Sequence, residues 1–152
     1  MHTTLPTNAF VCLRFGSLIA KIMLAANTIG VLKMDEILPR KTEKPWGYEL
    51  LYAHTEQYVG KVIFVKKGFR LSLQYHKQKD ESMYLLQGKV KFSVQPQGGK
   101  MTETVGDPGY VLHLPPMTIH RVEALEDSTI LEVSTPQLSD VVRLQDDYGR
   151  AP

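Results

Sequence analysis

The sequence predicts an all-β, single-domain fold, and three observations carry that prediction. From Tyr48 onward, short runs rich in β-branched and aromatic residues follow one another at close spacing. Gly, Pro and charged breaks separate the runs, with no internal repeat, low-complexity tract or linker to a second domain. The size fits as well: 152 residues and 17.2 kDa suit one domain, and 43% hydrophobic residues against 22% charged are ordinary for a chain with a buried core. Many short strands in succession pack as a sandwich or close as a barrel.

In chain order, residues 1–38 stand apart as an N-terminal extension, and the folded domain is expected over 39–152. The run LRFGSLIAKIMLAANTIGVL is apolar, but Arg14 and Lys21 interrupt it. It therefore lacks the ~20 consecutive apolar residues of a membrane span. A signal peptide would use IMLAANTIGVL as its apolar core, yet no small-x-small cleavage site precedes Met34. A short amphipathic helix is a further option. The favoured expectation is that Met34, opening MDEILPRKTEKPWGYEL, is the natural start and that what precedes it is spurious or loosely ordered.

The strands then follow as YELLYAH, YVGKVIFVKKG, RLSLQYH, SMYLLQ, KVKFSVQ, YVLHLP, HRVEAL and STILEVSTP. QPQGGKM joins two strands of a hairpin, with Gly98-Gly99 able to supply positive φ. The tail SDVVRLQDDYGRAP reads as a strand followed by a polar turn. In KPWG, Pro45 and Gly47 flank the only tryptophan, Trp46, which is expected to clamp the opening strand onto the fold.

Charge excludes one function class. With 18 Lys+Arg against 16 Asp+Glu the net charge is +2, and phosphate-backbone binding needs clustered basic charge, so no nucleic-acid partner is expected. Lys66-Lys67 and the Lys77 to Lys79 run read as solvated strand ends. The single cysteine, Cys12, excludes an internal disulfide framework and fits a reducing compartment. The expected location is the cytoplasm, with no membrane contact.

The chemistry concentrates in LSLQYHKQKDE. A strand turns alternate side chains to one face, which groups Arg70, Ser72, Gln74 and His76. Facing inward, each of these polar groups costs a few kcal/mol unless it finds a partner. A metal ion meets that demand. Glu81 follows across the polar turn KQKD, and His120 opens a strand just after the Pro115-Pro116 turn. Gln74, His76, Glu81 and His120 are therefore the candidate metal ligands. Two imidazoles, an amide oxygen and a carboxylate suit a borderline divalent ion, Zn²⁺ first, with Mn²⁺, Fe²⁺, Co²⁺ or Ni²⁺ feasible. His2, His54 and His113 read as hydrogen-bonded structural histidines.

The spacing of these residues resembles the cupin superfamily. Gly68, five residues, Gln74-Tyr75-His76, four residues, Glu81, six residues, Gly88 matches its first motif. Gly109, five residues, Pro115, four residues, His120 matches its second. The resemblance implies a double-stranded β-helix, or jelly-roll barrel, with one metal site inside. Gln74, Met117 and Ala124 stand where that pattern usually has His, Gly and Asn. KPWGYE, LSLQYHKQKDE, LPPMTIHRVE and LEVSTPQLSDVVRLQDDYGR are more specifically similar to the C-terminal domain of type II mannose-6-phosphate isomerases, which also carry mannose-1-phosphate guanylyltransferase activity. The similarity runs from about Lys44 to Arg150. The nucleotidyltransferase half cannot fit in this chain, so guanylyl transfer is not implied. Gln78-Lys79-Asp80 replaces the family's His-Arg-Ala, and its following aromatic is moved to Tyr84.

What the resemblance implies is aldose–ketose isomerisation of a sugar phosphate or related sugar, mannose 6-phosphate and fructose 6-phosphate being the family pair. An ion chelated by the C1 and C2 oxygens polarises the carbonyl, and a base moves a proton between the carbons. Candidates for the base are hydroxide held by the ion, His113, or a carboxylate from the C-terminal segment. Arg70, Lys79, Arg143 and Arg150 are the candidate substrate-binding cations, with Lys44 behind them. The competing functions are a non-catalytic metal- and sugar-binding cupin, favoured by the altered 78–80 stretch, and an Fe-dependent dioxygenase, disfavoured by Gln74. The resemblance also implies a homodimer formed through an outer sheet face such as VIFV.

Overall fold

The computed structural model describes residues 39–151, so the expected extension over 1–38 lies outside the described residues. Eleven strands follow in order: β1 Arg40–Lys44, β2 Gly47–His54, β3 Val59–Val65, β4 Leu73–His76, β5 Glu81–Gln87, β6 Val90–Gln95, β7 Thr102–Gly106, β8 Val111–Leu114, β9 Ile119–Ala124, β10 Ser128–Ser134 and β11 Val141–Gln145. Among the described residues no helix is long and apolar enough to cross a membrane.

The strands form two antiparallel sheets, one ordered β1-β2-β3-β10-β5-β8 and the other β11-β4-β9-β6-β7. From β7 on, each successive strand changes sheet, as do β3 to β4, β4 to β5 and β5 to β6. This is jelly-roll wiring. The predicted strands all form, because alternation supplies each with an apolar inner row. Met83 and Leu85 of β5, Phe92 of β6, Val122 and Ala124 of β9 and Ile130 of β10 belong to a single buried core with Trp46. Each large apolar side chain buried there contributes about 1.5–3 kcal/mol.

One strand went unread, and the second strand of the expected hairpin had been given no bounds. RKTEK forms β1, an exposed edge strand paired with β2 from Arg40↔Leu51 to Lys44↔Gly47. Its side chains are charged or polar and mostly exposed, so no apolar alternation marks it. TETVG forms β7 and completes the β6–β7 hairpin, with Gly98 at φ +73°. Gly47 has a different task. A Cβ there would lie 2.0 Å from the Phe64 carbonyl oxygen, so only glycine lets KPWG close against β3 and bury Trp46.

The outward face of the six-stranded sheet carries Leu50, Val62, Leu131, Tyr84 and Val111 in one cross-strand row. Tyr84 and Val111 are exposed, and Tyr48 stacks on Phe64 with ring centroids 5.2 Å apart on the same face.

Candidate metal centre and its cavity

Three ligand-type atoms converge in the interior. His76 ends β4, Glu81 begins β5 and His120 is the second residue of β9, so both sheets contribute. All three side chains are buried. His120 Nε2 lies 3.1 Å and His76 Nε2 3.8 Å from Glu81 Oε1. The three atoms all lie within 4.8 Å of one another. Ligand atoms around a tetrahedral zinc ion are separated by about 3.4 Å, given Zn–N bonds of about 2.0–2.1 Å.

Those same three atoms are buried without a hydrogen-bond partner. An unsatisfied buried polar atom costs about 1–3 kcal/mol, so three aimed at one point form a costly arrangement unless a cation joins them. The donor set fits a divalent ion.

The rings are held from behind. His76 Nδ1 donates to Asp140 Oδ1 at 2.8 Å, and His120 Nδ1 donates to the Thr118 carbonyl at 2.9 Å. Each bond commits Nδ1 as the N–H and leaves the Nε2 lone pair free for an ion. Burial, the largest cause, pushes the His76 imidazole below its ordinary pKa despite the Glu81 carboxylate, which keeps it neutral as a ligand must be. Burial alone would raise Glu81, but the Lys79 ammonium beside it holds it well below the usual carboxylate range.

The cluster opens onto a cavity of about 140 Å³. Five cationic side chains line it, Lys44, Lys61, Lys79, Arg143 and Arg150, against the acids Glu49, Glu81 and Glu132.

Residues 33–146 match the family described as Mannose-6-phosphate isomerase C-terminal. The chain belongs to this family. No curated protein matches it. The fold is similar to KdgF from Halomonas sp. at 22% identity and TM-score 0.56, over 69% of this chain and 91% of that one. It is also similar to the capsular polysaccharide assembling protein CapF from Staphylococcus aureus, at 16% identity and TM-score 0.61, over 73% of this chain and 34% of that one. Oxalate decarboxylase from Lactobacillus farciminis, in a formate complex, gives 18% identity and TM-score 0.61, over 70% of this chain and 33% of that one. These likenesses establish the cupin jelly roll, and this chain spans about a third of the CapF and decarboxylase chains.

In this mannose-6-phosphate isomerase C-terminal cupin, the residues predicted from sequence separate into groups. Gln74 lines the cavity opposite His120 in the β4–β9 ladder, and its Oε1 accepts the Ser72 hydroxyl at 2.7 Å. Arg143 is Gln74's partner on β11, lines the cavity, and has a buried Nε with no hydrogen-bond partner. Arg150 lines the cavity too, but Asp146 engages its guanidinium through both Nε and Nη2.

Three expectations need correction. Arg70 does not share the ligand face, because β4 begins only at Leu73 and strand alternation does not reach back to it. Its guanidinium pairs with Asp147 at 2.6 Å, away from the cavity lining. His113 points outward between the inward Leu112 and Leu114, and its Nε2 lies 3.0 Å from Asp80. Lys79 is no solvated strand end: it is 3% exposed, with Nζ donating to Glu81 Oε2 and, at 2.7 Å, to Glu132 Oε1. Burial disfavours that ammonium, but the Glu132 and Glu81 carboxylates outweigh it and raise its pKa.

Two further side chains went unnoticed in the sequence, and a third, Asp140 of the C-terminal segment, has a role that was not foreseen. Glu132 and Lys61 line the cavity, and period-2 alternation could have found both, since Ile130-Glu132-Ser134 and Val59-Lys61-Ile63 share inward rows. Asp140 supports His76 and accepts the backbone N–H groups of Gln78 and Lys79. No local pattern marks that role, because 64 residues separate it from His76. The turn before His120 carries Met117 at φ +66°, the position where the superfamily pattern has Gly. Its N–H donates to the His76 carbonyl at 2.7 Å, which ties the two ligand strands together.

Proposed function

We propose that this domain is a metal-dependent aldose–ketose isomerase of the mannose-6-phosphate isomerase type, acting on an anionic sugar such as a sugar phosphate. The observation that carries the reading is the meeting of three unpartnered ligand atoms beside a cavity with an excess of cationic side chains. His76, Glu81 and His120 hold the ion, zinc first among the candidates, and Gln74 completes the set from the same wall. When bound, the ion polarises the substrate carbonyl and stabilises the negative charge that develops on its oxygen.

Arg143 is the side chain best suited to the anionic end of the substrate. Its guanidinium is not neutralised by a carboxylate among the described residues, whereas Arg150 is bound by Asp146 and Lys79 by two glutamates. Metal-loaded protein is expected to interconvert mannose 6-phosphate and fructose 6-phosphate, with a panel of free aldoses as comparison. Arg143→Met is expected to raise KM for the phosphorylated sugar tenfold or more and to leave a free aldose unchanged. An equal effect on both removes Arg143 from anion binding.

A non-catalytic metal- and sugar-binding cupin is the second reading. The capture of Lys79 by two carboxylates supports it, as does the likeness to a protein described as assembling capsular polysaccharide. Bound metal and sugar with no turnover would select it. In either case the expected setting is the cytoplasm. A second copy of the chain is the expected occupant of the apolar row on the six-stranded sheet.

A further inference from the structure

We propose that Glu132 is the carboxylate that moves the proton between the two substrate carbons, an inference that rests on the isomerase reading. Glu132 sits in β10 opposite Met83, while Ser134 lies opposite Glu81, so Glu132 and Glu81 are diagonal neighbours on one inward face. Glu132 is 3% exposed and lines the cavity. Its Oε1 accepts Lys79 Nζ at 2.7 Å and lies 3.6 Å from Lys61 Nζ. The hydrogen bond from Lys79 uses Oε1, and no hydrogen bond among the described residues reaches Oε2. Lys79 in turn donates to Glu81 Oε2, so one ammonium spaces two carboxylates and fixes Glu132 beside the ion site.

Stability does not account for the cluster. Exchanging a buried ion network for apolar side chains of like volume is often neutral or stabilising. The other acids near the cavity have different commitments. Glu81 is a ligand, and Asp140 is taken by His76 and two backbone N–H groups. Glu49 pairs with Lys44 at 3.6 Å and keeps 27% of its side chain exposed. His113, the alternative base, lies outside the cavity lining.

The step balances without an external oxidant or reductant. Glu132 takes the proton from the carbon beside the aldehyde. The C–H electron pair becomes the C1–C2 double bond of an enediolate, and the carbonyl π pair moves onto oxygen. The proton on the neighbouring hydroxyl crosses to that oxygen. Glu132 then returns its proton to C1, which leaves the ketone at C2.

The test uses metal-loaded full-length protein and follows mannose 6-phosphate to fructose 6-phosphate by NMR. Glu132→Gln keeps the shape but cannot accept a proton, and it is expected to slow conversion by about 10²–10⁴-fold. Metal content should stay near the unsubstituted value, Tm should fall because buried Lys79 loses a counter-charge, and Glu132→Asp should recover part of the rate. A purely structural role would instead lower metal content, or slow Glu132→Gln and Glu132→Asp alike. Conversion by Glu132→Gln within tenfold of the parent overturns the proposal, as does loss of activity in Glu49→Gln instead. If the parent protein holds its metal yet converts no sugar of the panel, the isomerase reading itself fails and this proposal goes with it.

Discussion

The two halves of the jelly-roll interior are built from the same strands and differ in chemistry. Along β5, buried Glu81 gives way to Met83 and Leu85, and along β9, His120 gives way to Val122 and Ala124. Along β10 the inner row changes from Glu132 to Ile130. One half is a dry core around Trp46, Phe92 and Leu85. The other holds two histidines, two glutamates and a lysine, all buried. Strand alternation decides only that a side chain points inward. Position along the strand then decides whether it is held by apolar packing or needs an ion or counter-charge. The dry half supplies the rigid frame, and the polar half is placed on it at strand ends that the frame fixes.

The largest expected effect breaks the dry half. Phe92 is 1% exposed and stacks on Tyr110 with centroids 5.3 Å apart. Phe92→Ala is expected to cost about 3–5 kcal/mol in chemical denaturation while leaving metal stoichiometry in the folded protein unchanged. If His120→Ala proved as destabilising as Phe92→Ala, the two halves would not divide stability from function.

A smaller effect belongs behind the polar half. Asp140 has two carboxylate oxygens in use, one for His76 and one for the Gln78 and Lys79 N–H groups. Burial opposes its ionisation, but those backbone bonds and His76 hold its pKa below the ordinary value. An asparagine has one acceptor oxygen, so one set of donors loses its partner. Asp140→Asn is expected to weaken metal affinity 10- to 100-fold by titration calorimetry, with little change in Tm. Unchanged affinity would mean that His76 needs no support.

The smallest effect lies at the C-terminal turn. The Arg150 guanidinium, against some burial, holds Asp146 down to about 2, with help from the Arg150 and Tyr148 N–H groups. A depressed carboxylate pKa stabilises the fold above the ordinary value near 4, and that contribution fades as pH falls towards 2. Asp146→Asn should therefore be less stable than the parent at pH 7 by about 1 kcal/mol, allowing for solvent screening at this site. The gap should close in denaturation curves taken between about pH 4 and 2. A gap independent of pH would assign the effect to something other than the ion pair.

The sequence made the strands legible because a half-buried strand must alternate, and it made the candidate ligands legible because three metal-type side chains recur at a known spacing. β1 escaped because an exposed edge strand of charged and polar side chains has no apolar period. The burial of Lys79 escaped because KQKD reads as a solvated turn; it depends on Glu132, 53 residues away. Arg70 was misplaced by extending alternation past the start of β4, and His113 by weighing its chemistry ahead of the outward phase set by Leu112 and Leu114. Long-range pairings such as Asp140 with His76 depend on how β11 lies beside β4, which no local pattern encodes.

The central claim is that His76, Glu81 and His120 jointly hold a divalent ion. Metal content of the purified protein, measured beside a Glu81→Ala/His120→Ala double variant, tests it most directly. The account predicts about one zinc-class ion per chain in the parent, none in the double variant, and the same β-rich circular dichroism in both. Stoichiometric metal retained by the double variant would contradict it.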